Sequence, residues 1–403
     1  MYRLPIFPKQ KKGVYLDHAA ATPIEKKVSR MMNQFSSESF ANPSSLYSLG
    51  VTAKQAVEKS REQIAVFLLT TPDTIVFTSG ATESNNWVIF GIGEKKTRLK
   101  KHIITTMIEH QSVLEPIRQL EKKGIVVTYL KPDHNGFIDP DQVREALKKE
   151  TKLISVQYAN NEIGTIQPLA EIGRLIMKWR KQNKSSFPLL HSDASQAVNY
   201  LSSNVEALHV DFMSFNGSKI YGPKGVGVLY KRRGISLEPL LYGGGQENEL
   251  RSGTENVLAI VGMGRAVEVI GGQLISWSVE QKKLRDYFWE KIKKNIPDVK
   301  LNGPTIESDR RLPNNLNISI KNVLAEALVF YLDSYGIQCS TGSACASNKN
   351  EASPVLYAIG LSKKAIESSV RFTLGRSTTK SDIDYVLTYL SNIVKALRSK
   401  DKK

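Results

Sequence analysis

A chain of 403 residues, 41% hydrophobic and 24% charged, has the composition of a globular protein, and its length favours one large and one smaller domain. No apolar run approaches the roughly 20 residues that span a bilayer, the N-terminus lacks a secretory signal, and two cysteines exclude a disulfide framework, so a cytoplasmic protein without a membrane partner is expected. The net charge of +17 is divided among short, separated basic segments, which are typical of solvated surface and not of a specific nucleic-acid site.

The first half of the chain alternates strand-like and helix-like segments. The strand-like runs are "TIVFTSG", "HIITTM", "IVVTYL", "KLISVQYA", "PLLHSDAS", "DFMSFNG" and "VGVLYK". Amphipathic patterns such as "SVLEPIRQLEKKG", "DPDQVREALKKE" and "LAEIGRLIMKWRKQ" lie between them. This alternation predicts an α/β fold with a largely parallel central sheet.

The glycine cluster "LYGGGQENELRSGTEN" interrupts that alternation, and an apolar helical pattern, "VLAIVGMGRAVEVIGG", follows it. We predict a large domain over residues 16–260 and a small α+β domain formed by residues 1–15 and 261–403. The small domain would contain both cysteines, in the segment "CSTGSAC". A Gly- and Ser-rich segment is typical of a loop, where two thiols have no core to fill.

An anion site is one interpretation of "TIVFTSGATESNN". Gly80, Ala81 and Thr82 follow a strand and begin a helix, so backbone N–H groups and the helix N-terminus could bind a phosphate. The alternative is an ordinary N-cap, in which Thr82 satisfies its own helix.

Two further motifs, "HSDASQ" and "NGSKIYGPKG", also follow predicted strands, where open α/β sheets bind ligands. A buried carboxylate from Asp193 and a lysine on a tight turn, Lys219, are what pyridoxal phosphate (PLP) requires for its ring nitrogen and its covalent attachment. Singly, each residue has another interpretation, an N-cap or turn for Asp193 and a surface position for Lys219.

Other candidates are polar side chains near the same predicted strand ends. His110 of "MIEHQSVL" could stack on a flat ring and handle protons, although a lone histidine is usually structural. The amides of Asn160 and Asn161 could bond a phenolic oxygen or a carboxylate, or form a turn. An arginine that binds a substrate carboxylate with two hydrogen bonds could come from "RSGTEN" or "VRFTLGR", which contain Arg251, Arg371 and Arg376. No metal site is predicted.

With these residues assembled, the chain resembles the cysteine desulfurases of the NifS/IscS type, within the class-V aminotransferase group of fold-type I PLP enzymes. The resemblance extends from "YLDHAAATP" to about residue 395 and includes "NPSSLYSLG", "FTSGATESNN", "IEHQSVL", "NNEIGTIQP", "HSDASQ", "SKIYGPKG", "GGGQENELRSGTEN", "STGSACAS" and "RFTLGR". It implies a mostly parallel seven-stranded sheet in the large domain, a homodimer, and the conversion of L-cysteine to L-alanine.

The resemblance also implies roles for residues around the cofactor ring. Lys219 would hold PLP covalently and move protons at Cα, and His110 would stack on the ring and assist proton transfer. Asp193 would pair with the pyridine nitrogen, while Gln196 would bond the phenolic oxygen. Asn161 would lie beside the ring and the substrate carboxylate.

For the phosphate, the resemblance implies contacts from Ala81 and Thr82 and from Thr254 of the partner subunit. The family usually has a serine and a histidine in the phosphate cup, where this chain has Asn216 and Ser218. Both can still donate hydrogen bonds, but a ring that could be cationic is absent. We therefore expect weaker PLP retention, not loss of binding.

The remaining implied roles concern substrate and sulfur. Arg371 would bind the carboxylate of L-cysteine, and Cys345 would be the nucleophile that receives sulfur as a persulfide. Cys339 has two interpretations, a buried packing thiol or an auxiliary thiol.

Alternatives stay open from the residues alone. A transaminase needs no loop thiol, so Cys345 argues against transamination, whereas selenocysteine could be used by the same geometry. A tRNA- or partner-binding module with a vestigial PLP fold would be expected to have lost some of these residues. The sulfur acceptor is not identified by the sequence, and an iron-sulfur scaffold, a tRNA-thiolation relay and a thiamin or molybdopterin sulfur carrier all stay open.

Overall fold

The computed structural model describes residues 13–93, 101–341 and 353–400. The strands are Val14–Tyr15 (β1), Ile75–Thr78 (β2), His102–Thr106 (β3), Val126–Leu130 (β4), Thr151–Ser155 (β5), Leu189–Asp193 (β6), Phe212–Asn216 (β7), Gly227–Lys231 (β8), Val299–Leu301 (β9), Asn315–Ile320 (β10), Ile337–Gln338 (β11) and Ser369–Thr373 (β12). The helices are Lys26–Ser37 (α1), Ser48–Leu68 (α2), Ala81–Gly93 (α3), Gln111–Lys122 (α4), Pro140–Ala146 (α5), Leu169–Asn183 (α6), Val205–Leu208 (α7), Val257–Gly271 (α8), Leu274–Asn295 (α9), Ala325–Ser334 (α10), Pro354–Ala358 (α11), Lys363–Glu367 (α12) and Lys380–Lys400 (α13).

The central sheet has seven strands in the order β2-β8-β7-β6-β5-β3-β4. The run from β4 to β7 is parallel throughout, whereas β8 is antiparallel to both of its neighbours. All strands of this sheet except β8 therefore point the same way, and their carboxyl ends meet at one edge. The predicted α/β fold with a mostly parallel seven-stranded sheet is confirmed.

Helices cover both faces of this sheet, as parallel sheets require. Ile103, Leu153 and Phe212 share one hydrophobic core with side chains of α3 and α4. The strand residues next in sequence, such as Ile104 and Ile154, share another core with α2, α6 and α8. This period of two places successive apolar side chains on opposite faces and explains why the strands read as continuous hydrophobic runs.

A second body of structure packs around a three-stranded antiparallel sheet of order β12-β10-β9. Its core also includes side chains of α9, α10 and α13, together with Val14 and Leu16 from the N-terminal segment. That segment reaches this region because β1 pairs in parallel with β11. The helix α8 packs in the core of the central sheet and α9 in this second core. The division of the chain into two domains at residue 260 stays a prediction.

Within the described residues, no single helix has both the length and the apolar character needed to cross a membrane. The helices α8 and α9 meet that test only as a pair, and they are bent by 73° at their break. The apolar side chains of α8, among them Met263, Val267 and Ile270, are buried in the first core.

Candidate active site

A cavity of about 290 Å³ lies at the edge where the carboxyl ends of the parallel strands meet. Ten of the side chains that the sequence predicts for the site line it, namely those of Ala81, Thr82, His110, Asn161, Asp193, Gln196, Asn216, Ser218, Lys219 and Arg371. Segments that are far apart in sequence therefore meet because their strands are neighbours in the sheet.

A tight turn after β7 presents Lys219. The turn Gly217–Lys219 is a single 3₁₀ turn, and a Cβ at Gly217 would lie 2.3 Å from the carbonyl oxygen of Pro223. Only glycine allows that close approach. The Nζ of Lys219 donates a hydrogen bond to the carbonyl of Ala20, and Gln196 donates to the neighbouring carbonyl of Ala19. The N-terminal segment thus lies against two of the predicted cofactor residues.

Asp193 is the last residue of β6 and only 7% of it is exposed. Its Oδ1 accepts a hydrogen bond from the backbone N–H of Ser195 at 2.9 Å, and its Oδ2 accepts one from Nδ2 of Asn85 at 2.8 Å. Burial of a carboxylate is costly unless it is hydrogen-bonded. Asn85 supplies part of that compensation, and the sequence analysis did not identify it.

His110 caps the N-terminus of α4. Its Nδ1 accepts from the backbone N–H of Ser112 at 3.1 Å and lies 2.7 Å from Oγ of Ser112. Capping thus fixes one ring nitrogen of a residue that lines the cavity.

The N-terminus of α3 follows β2 directly and supplies the predicted phosphate site. The first N–H groups of a helix have no acceptor within the helix, and those of Ala81 and Thr82 lie at the cavity. Gly227 of β8 keeps this turn tight, because a Cβ there would lie 2.5 Å from Gly80. On the opposite side, the hydroxyl of Ser218 donates to Oδ1 of Asn216 at 3.1 Å, so the two unusual residues bond to each other.

The glycine cluster before α8 stabilises the same turn from outside. Arg251 makes two hydrogen bonds to Glu83, at 2.8 and 3.2 Å, and Glu83 accepts the backbone N–H of Ser79. Although burial opposes ionisation, these hydrogen bonds hold the pKa of Glu83 below its usual value. Arg251 is therefore structural. Thr254 is exposed and does not line the cavity of its own chain, so its role at a partner subunit's phosphate site stays a prediction.

Of the three candidate arginines, only Arg371 lines the cavity. It lies on β12, it is 2% exposed, and it donates to Oδ1 of Asp17 at 2.7 Å and to the carbonyl of Asn161 at 2.9 Å. Its buried Nε–H has no hydrogen-bond partner among the residues that the structure describes. Arg376, by contrast, is stacked between the rings of Tyr221 and Trp277.

Asn160 and Asn161 have different roles. The side chain of Asn160 is buried and accepts the backbone N–H groups of Glu162 and Ile163, which is the turn interpretation. Asn161 lines the cavity.

The sequence analysis did not identify two buried carboxyl groups that line the cavity, those of Glu109 and Glu162. Burial raises the pKa of Glu109 to about 8, although hydrogen bonds from Gln157 and Thr106 favour its anion, and its Oε2 has no partner among the described residues. Burial also raises the pKa of Glu162, against the opposing effects of the Ser353 hydroxyl and the side chains of Arg371 and His110. The available signal was a charged residue soon after each buried strand, in "IEHQ" and "NNEIG".

Of the two cysteines, Cys345 lies outside the described residues and Cys339 lies within them. Cys339 follows β11, is partly buried and packs against the second core. Burial and the nearby carboxylate of Asp17 raise the pKa of its thiol, so the thiol is protonated at neutral pH and is a weak nucleophile.

The residues around the cavity fit PLP. A buried carboxylate, a lysine on a rigid turn and a helix N-terminus match the ring nitrogen, the aldehyde carbon and the phosphate of that cofactor. Among residues 13–93, 101–341 and 353–400, no group of three His, Cys, Asp or Glu side chains could hold a metal ion.

Comparisons with known proteins agree with this fit. A cysteine desulfurase, IscS, of Dictyoglomus turgidum is 45% identical over 389 residues, covering 96% of each chain, and its counterpart in Methanosarcina thermophila is 43% identical, covering 97% of this chain and 94% of that protein. A solved NifS-like protein superposes with a TM-score of 0.88 at 35% identity, covering 96% of this chain and all of the other. A solved structure titled SspA in complex with cysteine gives a TM-score of 0.77 at 36% identity, covering 91% of this chain and 99% of the other. The family model described as aminotransferase class-V matches residues 14–386, and this chain belongs to that family, whose cysteine desulfurase members depend on PLP.

Proposed function

We propose that this protein is a PLP-dependent cysteine desulfurase, which converts L-cysteine to L-alanine and transfers the sulfur to Cys345 as a persulfide. The observation that carries the proposal is one cavity lined by Lys219, Asp193 and Arg371. These are the groups needed to hold the cofactor, to pair with its ring nitrogen and to bind an amino acid's carboxylate. The relatives named cysteine desulfurase support the same reaction.

Cofactor binding is assigned to the strand-end residues. Lys219 would hold PLP covalently, and the amine released when substrate binds would move a proton at the substrate Cα. Asp193 would keep the pyridine nitrogen protonated, His110 would stack on the ring, and Gln196 would donate to the phenolic oxygen. When bound, PLP withdraws electrons from the substrate's Cα and so allows the bond between Cβ and sulfur to break.

Phosphate binding is assigned to Ala81 and Thr82 at the start of α3, and to Asn216 and Ser218 on the facing turn. All four residues line the cavity. The hydroxyl of Ser218 donates to Asn216, and neither side chain carries a charge. The turn that contains them therefore offers only uncharged groups to the phosphate. That observation supports the expectation of weaker PLP retention.

Substrate binding is assigned to Arg371 and Asn161. The guanidinium of Arg371 is fixed by Asp17 and by the carbonyl of Asn161, which leaves its unpartnered Nε–H for an incoming carboxylate. A carboxylate held by a buried guanidinium gains charge-assisted hydrogen bonds. This arrangement favours an α-amino acid over an amine without a carboxylate.

The sulfur transfer balances without an external oxidant. The thiolate of Cys345 forms a bond to the sulfur of L-cysteine, the bond between that sulfur and Cβ breaks, and the electron pair stays with carbon, which takes up a proton to give L-alanine. The enzyme keeps the sulfur as a persulfide. Reduction by two external thiols then releases sulfide and one disulfide.

A homodimer is also proposed. Leu46, Phe40 and Tyr242 are 97%, 68% and 80% exposed, which is unusual for large apolar side chains on a lone subunit. Tyr47, which stands where the family usually has histidine, is 59% exposed beside Leu46. Thr254, exposed in its own chain, would reach the partner's phosphate site.

The proposal also includes the compartment of the enzyme and the acceptor of its sulfur. We propose a cytoplasmic enzyme that supplies sulfur to an acceptor protein, either an iron-sulfur scaffold or a sulfur carrier, for iron-sulfur cluster assembly or tRNA thiolation. The relatives named IscS support the iron-sulfur role. The basic surface, with its charge of +17, would favour an acidic acceptor.

The test is to incubate PLP-loaded protein with L-cysteine and a reducing thiol and to measure alanine and sulfide. We expect equal amounts of both products from the native protein and neither from a Cys345→Ala variant. The matched control is Cys339→Ala, which removes a buried thiol and should leave turnover unchanged. Failure of the native protein to form alanine from cysteine, with selenocysteine as the second substrate tried, would contradict the proposal.

A further inference from the structure

A chain of hydrogen bonds connects two of the proposed cofactor residues through two side chains that have no assigned role. Asn85, on α3, is completely buried. Its Nδ2 donates to Oδ2 of Asp193 at 2.8 Å and to Oγ of Ser112 at 2.9 Å. Oγ of Ser112 lies 2.7 Å from Nδ1 of His110.

The orientation of the Asn85 amide is determined by these partners. Its Nδ2 faces a carboxylate oxygen, and the reversed amide would place two acceptors against each other. The other polar atom of this amide, Oδ1, is buried and has no partner within the part of the chain that the structure describes. A buried carbonyl oxygen without a hydrogen bond is unfavourable. The two hydrogen bonds that Nδ2 donates must therefore outweigh that cost.

The direction of the remaining bonds follows. Because Ser112 Oγ accepts from Asn85, its own hydrogen is free to be donated to His110. The backbone N–H of Ser112 also donates to Nδ1 of His110 at 3.1 Å, so that nitrogen carries no hydrogen. The neutral imidazole therefore has its proton on Nε2.

We propose that Asn85 is a positioning residue that joins Asp193 and His110 into one hydrogen-bonded unit. Through it, the group that pairs with the ring nitrogen and the group that stacks on the ring are oriented together, by the same helix whose N-terminus binds the phosphate. The inference rests on the proposed function for its cofactor but not for its substrate.

The experiment compares three variants of the PLP-loaded protein. Asn85→Leu removes both donors with little change in volume, and Ser112→Ala removes the hydroxyl that connects Asn85 to His110 but keeps the hydrogen bond from Asn85 to Asp193. The matched control is Asn314→Leu, because Asn314 is also buried, at 2% exposure, and its Oδ1 also has no partner among the described residues, but its Nδ2 donates to the carbonyl of Leu374 and not to a site residue. Each variant is measured for its PLP dissociation constant and for two ¹⁵N signals, the pyridine nitrogen of labelled PLP and the imidazole of His110.

We expect Asn85→Leu to weaken PLP binding by about 10- to 100-fold, the range for losing a hydrogen bond to a charged group. It should shift both ¹⁵N signals, whereas Ser112→Ala should shift only that of His110 and Asn314→Leu neither. Unchanged signals in Asn85→Leu, or a change in only one of them, would overturn the proposal.

The two proposals fail separately. If the native protein binds PLP but forms no alanine from cysteine, the proposed reaction is wrong, while the dissociation constants and ¹⁵N signals still test Asn85. If desulfuration is confirmed and Asn85→Leu matches the control, only the positioning role is wrong.

Discussion

Two regions of the cavity are built in different ways. The floor, formed by Asp193, Lys219 and His110, comes from strand ends of one sheet. Side chains of the covering helices hold Asp193 and His110, and Lys219 donates to the carbonyl of Ala20 in the N-terminal segment. The rim, formed by Arg371 and Asp17, joins residues 354 positions apart, and a buried N–H of Arg371 has no partner among the residues that the structure describes. We interpret the floor as preformed for the cofactor and the rim as holding a donor for the proposed substrate carboxylate.

The largest expected effect is that of Lys219→Ala, at the floor of the cavity. Without the amine, cofactor attachment and proton transfer at Cα are both lost, so alanine formation should fall at least about 10³-fold. The control is Lys224→Ala, an exposed lysine five residues along the same loop, which should behave like the native protein. Equal losses in both variants would show that the loop, and not the Lys219 amine, matters.

At the rim, Arg371→Gln should act on substrate and not on cofactor. Removing a buried guanidinium that binds a carboxylate should raise the KM for L-cysteine by about 10- to 100-fold, with the PLP dissociation constant changed far less. Steady-state kinetics and a PLP titration separate the two effects. Arg233→Gln, at a 71% exposed side chain paired with Asp73, is the control. A large loss of PLP affinity in Arg371→Gln would mean that floor and rim are not independent.

A smaller effect is expected at the edge of the floor, from Ser218→His. An imidazole that can become cationic adds a charge-assisted hydrogen bond to the phosphate, so PLP should bind up to about 10-fold more tightly. Ser218→Asn adds donors without charge and should give no such gain. If the Ser218→His variant binds PLP no more tightly than the Ser218→Asn variant, the charge of the imidazole does not determine PLP affinity.

The last prediction concerns the free energy of unfolding instead of binding or turnover, and it involves the buried carboxyl of Glu109 at the cavity. Its pKa is raised to about 8 by burial, so the folded protein keeps a proton that the unfolded chain loses near pH 4.5. This group therefore lowers the free energy of unfolding as pH rises from about 5 to 8, by at most about 1.4 kcal/mol per pH unit, and has no effect below pH 4. Glu109→Gln should flatten that dependence. Thermal unfolding of PLP-free protein across this range gives the comparison, and equal slopes in both proteins would contradict the assignment.

Much of the fold follows from the sequence because its strands carry strong local signals. Runs such as "HIITT" and "KLIS" are rich in β-branched or apolar residues, and parallel pairing then brings their carboxyl ends to one edge. That reasoning was enough to group Asp193 with Lys219. It was less reliable for helix ends: "DPDQVREALKKE" predicts a longer helix than α5, which ends at Ala146 because the N–H of Lys148 is donated to the Thr151 hydroxyl.

The unpredicted parts of the site depend on contacts between distant residues. Asn85 is one of two adjacent asparagines, and only the packing of α3 against β6 shows which of them reaches Asp193. Likewise, Glu247 in the glycine cluster accepts two 2.8 Å hydrogen bonds from buried Arg61, a pairing 186 positions apart that no local pattern indicates. Nor does the motif around Arg371 reveal its partner in the N-terminal segment.

The parallel pairing of β1 with β11 has a consequence for the order in which the protein is made. The strands of the floor have all been synthesised by residue 231, so the central sheet can begin to associate while the rest of the chain is still on the ribosome. Val14 and Asp17 emerge long before their partners Ile337 and Arg371. Nascent chains that have not reached Arg371 can therefore contain the central sheet without the rim, and the proposed carboxylate site is completed after the proposed cofactor site.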